Sequence, residues 1–304
     1  MERDRAAGKM DQVARELLVA SQLTVDLSAA HSHLARIFEQ KGDRQRVLAE
    51  LEQLNRASSS FSGFALGGGR LQTKDGRLSP LEAQSLARAE TLLRSNRVGE
   101  AVAEYRRLAT MNPKLAIPHE RIGIINAMAN DLPSAVEEWE AAARLDPRSA
   151  TVHNNLGLAY QQMGMNDAAQ QSFQKAIAVN PASEEASLNL ANLLSANGDV
   201  DGAMKVLLSA TRHSPASARA HNNLGSLQSL SGSYQDAIGS YHKALSLDPN
   251  MASAHYGMGV ALMKTHCYMP AIQQLKHALA LNPKMQEAQT RIEEAHRLAN
   301  RSRG

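Results

Sequence analysis

The strongest constraint on this 304-residue chain is a period. Pro113, Pro147, Pro181, Pro215, Pro249 and Pro283 follow one another at intervals of 34 residues, and they are six of only ten prolines. Each closes a similar run: Met-Asn-Pro, Leu-Asp-Pro, Val-Asn-Pro, His-Ser-Pro, Leu-Asp-Pro and Leu-Asn-Pro. Proline lacks the amide hydrogen that a helix interior needs, so it stops one helix and suits the start of the next. A chain punctuated in this way is an array of like units, each burying its apolar side against its neighbours.

Numbering each unit so that its proline is position 32 starts the units at residues 82, 116, 150, 184, 218 and 252. Position 8 is then small throughout (Ala89, Gly123, Gly157, Ala191, Gly225, Gly259), and position 20 is always alanine, from Ala101 to Ala271. Position 24 is large: Tyr105, Trp139, Phe173, Leu207, Tyr241 and Leu275. Small residues at positions 8 and 20 let two antiparallel helices approach where they cross, and the bulky residue fills the space beside them. Position 15 holds Asn96, Asn130, Gly164, Gly198, Gly232 and His266. Glycine and asparagine tolerate the left-handed backbone of a helix end, so five of the six fit a short turn. Spacing and residue type resemble the tetratricopeptide repeat family in six successive units. That resemblance implies an all-α, right-handed superhelical solenoid of helical hairpins, with a concave and a convex surface.

The organisation expected along the chain follows from where the pattern holds. Residues 80–285 carry the six repeats. Residues 1–57 are divergent, with a half repeat over 9–25 and one more unit in which Val47 replaces the expected alanine and no proline closes. Ser58-Ser59-Ser60 and Gly67-Gly68-Gly69 break the periodicity, so 58–79 is expected to be a linker or loop. Residues 286–304 read as a capping helix and tail, with Glu287, Arg291, Glu294 and Arg297 on its outer side.

Composition narrows the function classes. Aromatics make up only 4% of residues, which suits closely packed helices better than sheets. The net charge of +3 is small, and no aromatics interleave the basic residues, so nucleic acid is not an expected partner. The single Cys267 excludes an intramolecular disulfide and a cysteine zinc site. Without a run of about 18 apolar residues, membrane insertion is not expected. The first residues lack the apolar core of a signal peptide, which points to the cytoplasm, or to the periplasm if a leader was removed.

Catalytic constellations are missing, so the chain is not expected to be an enzyme and no cofactor is expected. His266 and Cys267 are neighbours in a turn, where the imidazole is poorly placed to reach the sulfur. Gly67–Gly69 lead into Arg70 without the Lys-Ser/Thr ending of a phosphate loop. Histidines recur at position 4 (His119, His153, His221, His255). Neighbouring helices lie about 8–10 Å apart, whereas zinc ligands sit about 2.1 Å from the ion, so these imidazoles are expected to pack, and no metal site is expected.

The informative residues lie on the first helix of each hairpin. Position 6 is Asn155, Asn189 and Asn223 in three successive repeats, with Asn154, Asn192, Asn222 and Tyr256 at neighbouring positions. An asparagine amide offers an acceptor and two donors, which match the C=O and N–H of an extended peptide. This row is similar to the asparagine ladder of the O-linked N-acetylglucosamine transferase superhelix, and the resemblance implies main-chain binding in the concave groove. The row is short, because position 6 is Arg121 before it and Gly257 after it. The carboxylate clamp of chaperone-tail-binding members is not expected, since no lysine stands where that clamp needs one. The expected function is a protein-interaction scaffold holding an extended peptide or partner helix. Two alternatives stay open: a substrate-recruiting arm of a larger enzyme such as a glycosyltransferase, and an assembly factor of a bacterial secretion, pilus or exopolysaccharide machine. Self-association is also open.

Overall fold

The computed structural model describes residues 78–301. The divergent repeats expected at 1–57, and all of the expected linker except its last two residues, lie outside the described residues. Among the described residues all regular structure is α-helical. Twelve helices form six hairpins: α1 (Pro80–Arg94) with α2 (Val98–Met111), α3 (Ala116–Met128) with α4 (Leu132–Leu145), and α5 (Ala150–Gln162) with α6 (Asn166–Val179). The series continues with α7 (Glu184–Ala196) and α8 (Val200–His213), α9 (Ala218–Leu230) and α10 (Tyr234–Leu247), and α11 (Ala252–Lys264) and α12 (Tyr268–Leu281). A last helix, α13 (Gln286–Arg301), buries Ala288, Ile292, Ala295 and Ala299 and packs on α12.

The turn inside every hairpin is left-handed at position 15. Gly164, Gly198 and Gly232 have φ of 75°, 86° and 82°, and Asn96, Asn130 and His266 have 57°, 60° and 61°. His266 adopts this conformation despite its side chain, and its Nδ1 lies 2.9 Å from the Tyr268 hydroxyl. The reversal lets the next amide bond back into the helix, as from Met165 N to the Tyr160 carbonyl at 2.8 Å.

The junctions between hairpins are built from the residues around the periodic proline. Asn112, Asp146, Asn180, Asp248 and Asn282 each accept a hydrogen bond from the amide two residues on, at 3.2, 3.1, 3.1, 3.0 and 3.2 Å. That contact fixes an Asx turn across each proline. Ser149, Ser183 and Ser217 then cap the following helices by accepting from the amides of Val152, Ala186 and Ala220. The recurring histidines belong to the same junctions. Nε2 of His153, His221 and His255 lies 3.0, 3.3 and 3.0 Å from the carbonyls of Pro147, Pro215 and Pro249. His119 instead meets Glu138 at 2.7 Å.

Inside each hairpin the small residue at position 8 makes room for the large one at position 24. A Cβ on Gly123 would stand 2.6 Å from Trp139 Cδ1, and one on Gly225 would stand 2.9 Å from the Tyr241 ring. One on Gly157 would clash with the Phe173 ring. Close approach at position 8 therefore serves the ring of the same hairpin directly, and Ala101, Ala135, Ala169, Ala203, Ala237 and Ala271 are fully buried beside it. Each such large side chain removed from water contributes about 1.5–3 kcal/mol.

The stacking has an inner and an outer side. First helices of neighbouring hairpins touch one another, α5 to α7, α7 to α9 and α9 to α11, and α11 touches α13. Each second helix instead lies between its own partner and the first helix of the next hairpin. The inner side is thus lined by α5, α7, α9 and α11, the first three of which carry the asparagine row.

Candidate functional site

Two position-6 side chains, Asn189 and Arg121, lean back toward the preceding first helix. Asn189 on α7 donates its Nδ2 to Asn154 Oδ1 on α5 across 3.0 Å. Arg121 on α3 pairs through Nε with Glu90 on α1 at 3.3 Å. Arg291 on α13 donates to Glu294 at 2.7 Å, and that carboxylate, followed by the Tyr256 hydroxyl of α11, raises its guanidinium above the usual arginine value. At Arg121 and Asn189 position 6 therefore ties neighbouring hairpins together along the inner face.

The candidate residues differ sharply in exposure. Asn155 is 0% exposed, and neither its Nδ2 nor its Oδ1 has a hydrogen-bond partner. Asn154 is 3% exposed and accepts from Asn189. Asn189, Asn222, Asn223 and Tyr256 are half-buried, and Asn192 is exposed. Asn222 gives its Nδ2 to Asn223 Oδ1 at 3.2 Å, leaving its own Oδ1 buried without a partner. The structure brings Asn154 and Asn189 together, and Asn222 and Asn223 together. It encloses Asn155 instead of lining the surface with it. An unpaired buried amide costs about 1–3 kcal/mol, so such a residue calls for a role outside packing.

Charges near the row cancel in pairs. Arg219 on α9 meets Glu184 at 2.7 Å and Glu185 at 3.8 Å on α7. With Arg121 on Glu90 and Arg291 on Glu294, the three arginines of this face each carry a carboxylate. Tyr105 lies fully buried, and burial followed by the nearby Glu90 carboxylate pushes its hydroxyl well above the usual range. The face presents neutral amides and hydroxyls, which suit an uncharged main chain better than a polyanion. Among the described residues no group of three or more His, Cys, Asp or Glu is placed to hold a metal ion. No described helix is long and apolar enough to cross a membrane.

Sequence reasoning missed the pairing of the asparagines. Asn154 and Asn189 are 35 residues apart, one more than the period, and that offset was the available signal. Glu120, which the spacing places on the groove face, is only 8% exposed, and its backbone carbonyl accepts from Trp139 Nε1 at 3.2 Å.

Family models agree with the register. A tetratricopeptide repeat model matches residues 160–227, and a second TPR repeat model matches 127–164 and 229–265. No curated protein matches the sequence. Among solved structures, the chain is similar to YrrB, a TPR protein with an unusual peptide-binding site, at 22% identity and a TM-score of 0.52. That match covers 61% of this chain and 96% of YrrB. It is also similar to pilF of Pseudomonas aeruginosa, at 17% identity and a TM-score of 0.58, covering 70% of this chain and 97% of that one. A third likeness is to the APC/C hetero-tetramer Cut9-Hcn1, at 20% identity and a TM-score of 0.51, covering 94% of this chain and 55% of that one. These likenesses establish the fold, and the matched stretch from 127 to 265 is built of tetratricopeptide repeats.

Proposed function

We propose that this tetratricopeptide-repeat chain is a protein-interaction scaffold that holds an extended peptide along the inner face of α5, α7 and α9. The observation that supports it most is the row of neutral amides, Asn154, Asn155, Asn189, Asn222 and Asn223, on a face whose charges are already paired. Asn189, Asn192, Asn222 and Asn223 supply the first main-chain contacts, and Tyr256 extends them toward α13. Asn155 joins when the ligand displaces the side chains that enclose it, which gives its unpaired amide a partner. Contacts of this kind resemble those of the O-linked N-acetylglucosamine transferase arm, because an amide reads a peptide group with little regard to side chains. A recruiting arm of a larger enzyme and an assembly factor of a bacterial machine would both use this face.

Affinity capture from native lysate tests it, comparing the unaltered chain with a variant carrying Asn155→Ala, Asn189→Ala and Asn223→Ala. Circular dichroism checks that the variant folds. Partners lost from the folded variant support the inner face. Partners retained unchanged contradict it and move the search to the second helices.

A further inference from the structure

The asparagine row stops at Gly257, but the line of hydrogen-bonding groups does not. A Cβ on Gly257 would lie 2.5 Å from the Tyr241 hydroxyl oxygen. The phenol of α10 therefore reaches the place where a position-6 side chain on α11 would begin, and glycine is required there to admit it. The same alternation runs along the array. The position-24 residues preceding Asn155, Asn189 and Asn223 are Trp139, Phe173 and Leu207, none of which has a hydroxyl. Those that precede Arg121 and Gly257 are Tyr105 and Tyr241, while Leu275 precedes Arg291 on α13. From α3 to α11 each step thus carries either an amide on the first helix or a phenol from the helix behind it.

The two tyrosines are not equivalent. Tyr105 is 0% exposed and lies among Glu90 and Arg121, which occupy its surroundings. Tyr241 is 3% exposed, and its hydroxyl donates to the hydroxyl of exposed Ser226 at 3.2 Å. Ser226 in turn donates to the Asn222 carbonyl at 3.1 Å. Both protons of this relay point along the chain of bonds toward the Asn222 carbonyl, so the remaining lone pair of the Tyr241 oxygen is an acceptor beside Ser226, on the helix that carries Asn222 and Asn223.

We infer that Tyr241 is a further ligand-binding residue, its hydroxyl oxygen accepting a main-chain N–H of the bound peptide where the row of amides ends. The inference rests on the inner-face reading above. It fixes the ligand group at this point as a donor, and it extends the bound stretch onto α11.

The probe is a peptide selected from a display library of random 12-residue sequences on the intact chain, then synthesised with each backbone N–H replaced in turn by an ester oxygen. Tyr241→Phe keeps the ring under Gly225 and Gly257 and removes only the hydroxyl. It is expected to weaken binding about five-fold, the scale of one hydrogen bond. One ester position that weakens binding to the unaltered chain should have no effect on Tyr241→Phe. Ser226→Ala provides a second readout: it frees the phenol proton to donate to the ester, so the penalty at that position should shrink. Equal affinity and an identical ester profile for Tyr241→Phe, with binding lost in Asn189→Ala, overturns this inference and leaves the inner-face reading standing. Binding indifferent to Asn189→Ala and Asn223→Ala as well overturns both.

Discussion

Asn189 on α7 reaches back across 3.0 Å to Asn154 on α5, so one amide of the candidate site is also a tie between two hairpins. Removing it leaves the Asn154 oxygen buried without a partner. Asn189→Ala is therefore expected to lose about 1–3 kcal/mol of stability in a urea melt. Asn192→Ala, on an exposed position of the same helix, should stay within about 0.5 kcal/mol.

Asn155 should behave in the opposite way. Its amide is fully enclosed with both polar atoms unpaired, so an apolar residue of similar volume relieves a penalty. Asn155→Leu is expected to raise the melting temperature while weakening capture of the partner. A destabilised Asn155→Leu variant would show that the amide is satisfied in solution and has a structural role.

Glycines separate by what lies around them. Gly123→Ala drives a methyl into Trp139 and should cost about 1–3 kcal/mol. Gly99→Ala on α2 and Gly239→Ala on α10 meet nothing within 4 Å and should each gain about 0.5–1 kcal/mol, since alanine favours helix interiors. Thermal melts of the three variants test the difference in sign.

Stability should fall on acidification through His221. Burial holds its imidazole below the usual 6.5 and Lys243 adds to this, while the Pro215 carbonyl opposes them. The unfolded chain then binds the proton more readily than the folded one. The contribution is complete above about pH 6.5 and is lost as pH falls through the lower folded value. The melting temperature is expected to be higher at pH 7.5 than at pH 5.5, with a smaller difference in His221→Asn.

The period was legible because it reflects steric needs that one residue type satisfies. Proline ends a helix, glycine or asparagine turns it, and glycine at position 8 admits a ring. His266 followed the turn although its residue type argued against it, with its Nδ1 2.9 Å from the Tyr268 hydroxyl. The inner face was legible as a row of asparagines and no further. Which amide is enclosed, as at Asn155, and which leans on a neighbour, as at Asn189, depends on rotamers and on how adjacent hairpins close, neither of which a 34-residue spacing determines. The histidine contacts with the proline carbonyls depend on a turn whose geometry is likewise local.

The most direct measurement is the side-chain amide NMR spectrum of asparagine-labelled protein, recorded with and without the captured partner. Signals of Asn189 and Asn223, assigned by single substitution, are expected to shift on binding, and the Asn155 signal should move as its amide gains a partner. Saturating partner that leaves these signals in place and moves only asparagines elsewhere, such as Asn166 on α6, would contradict the inner-face account.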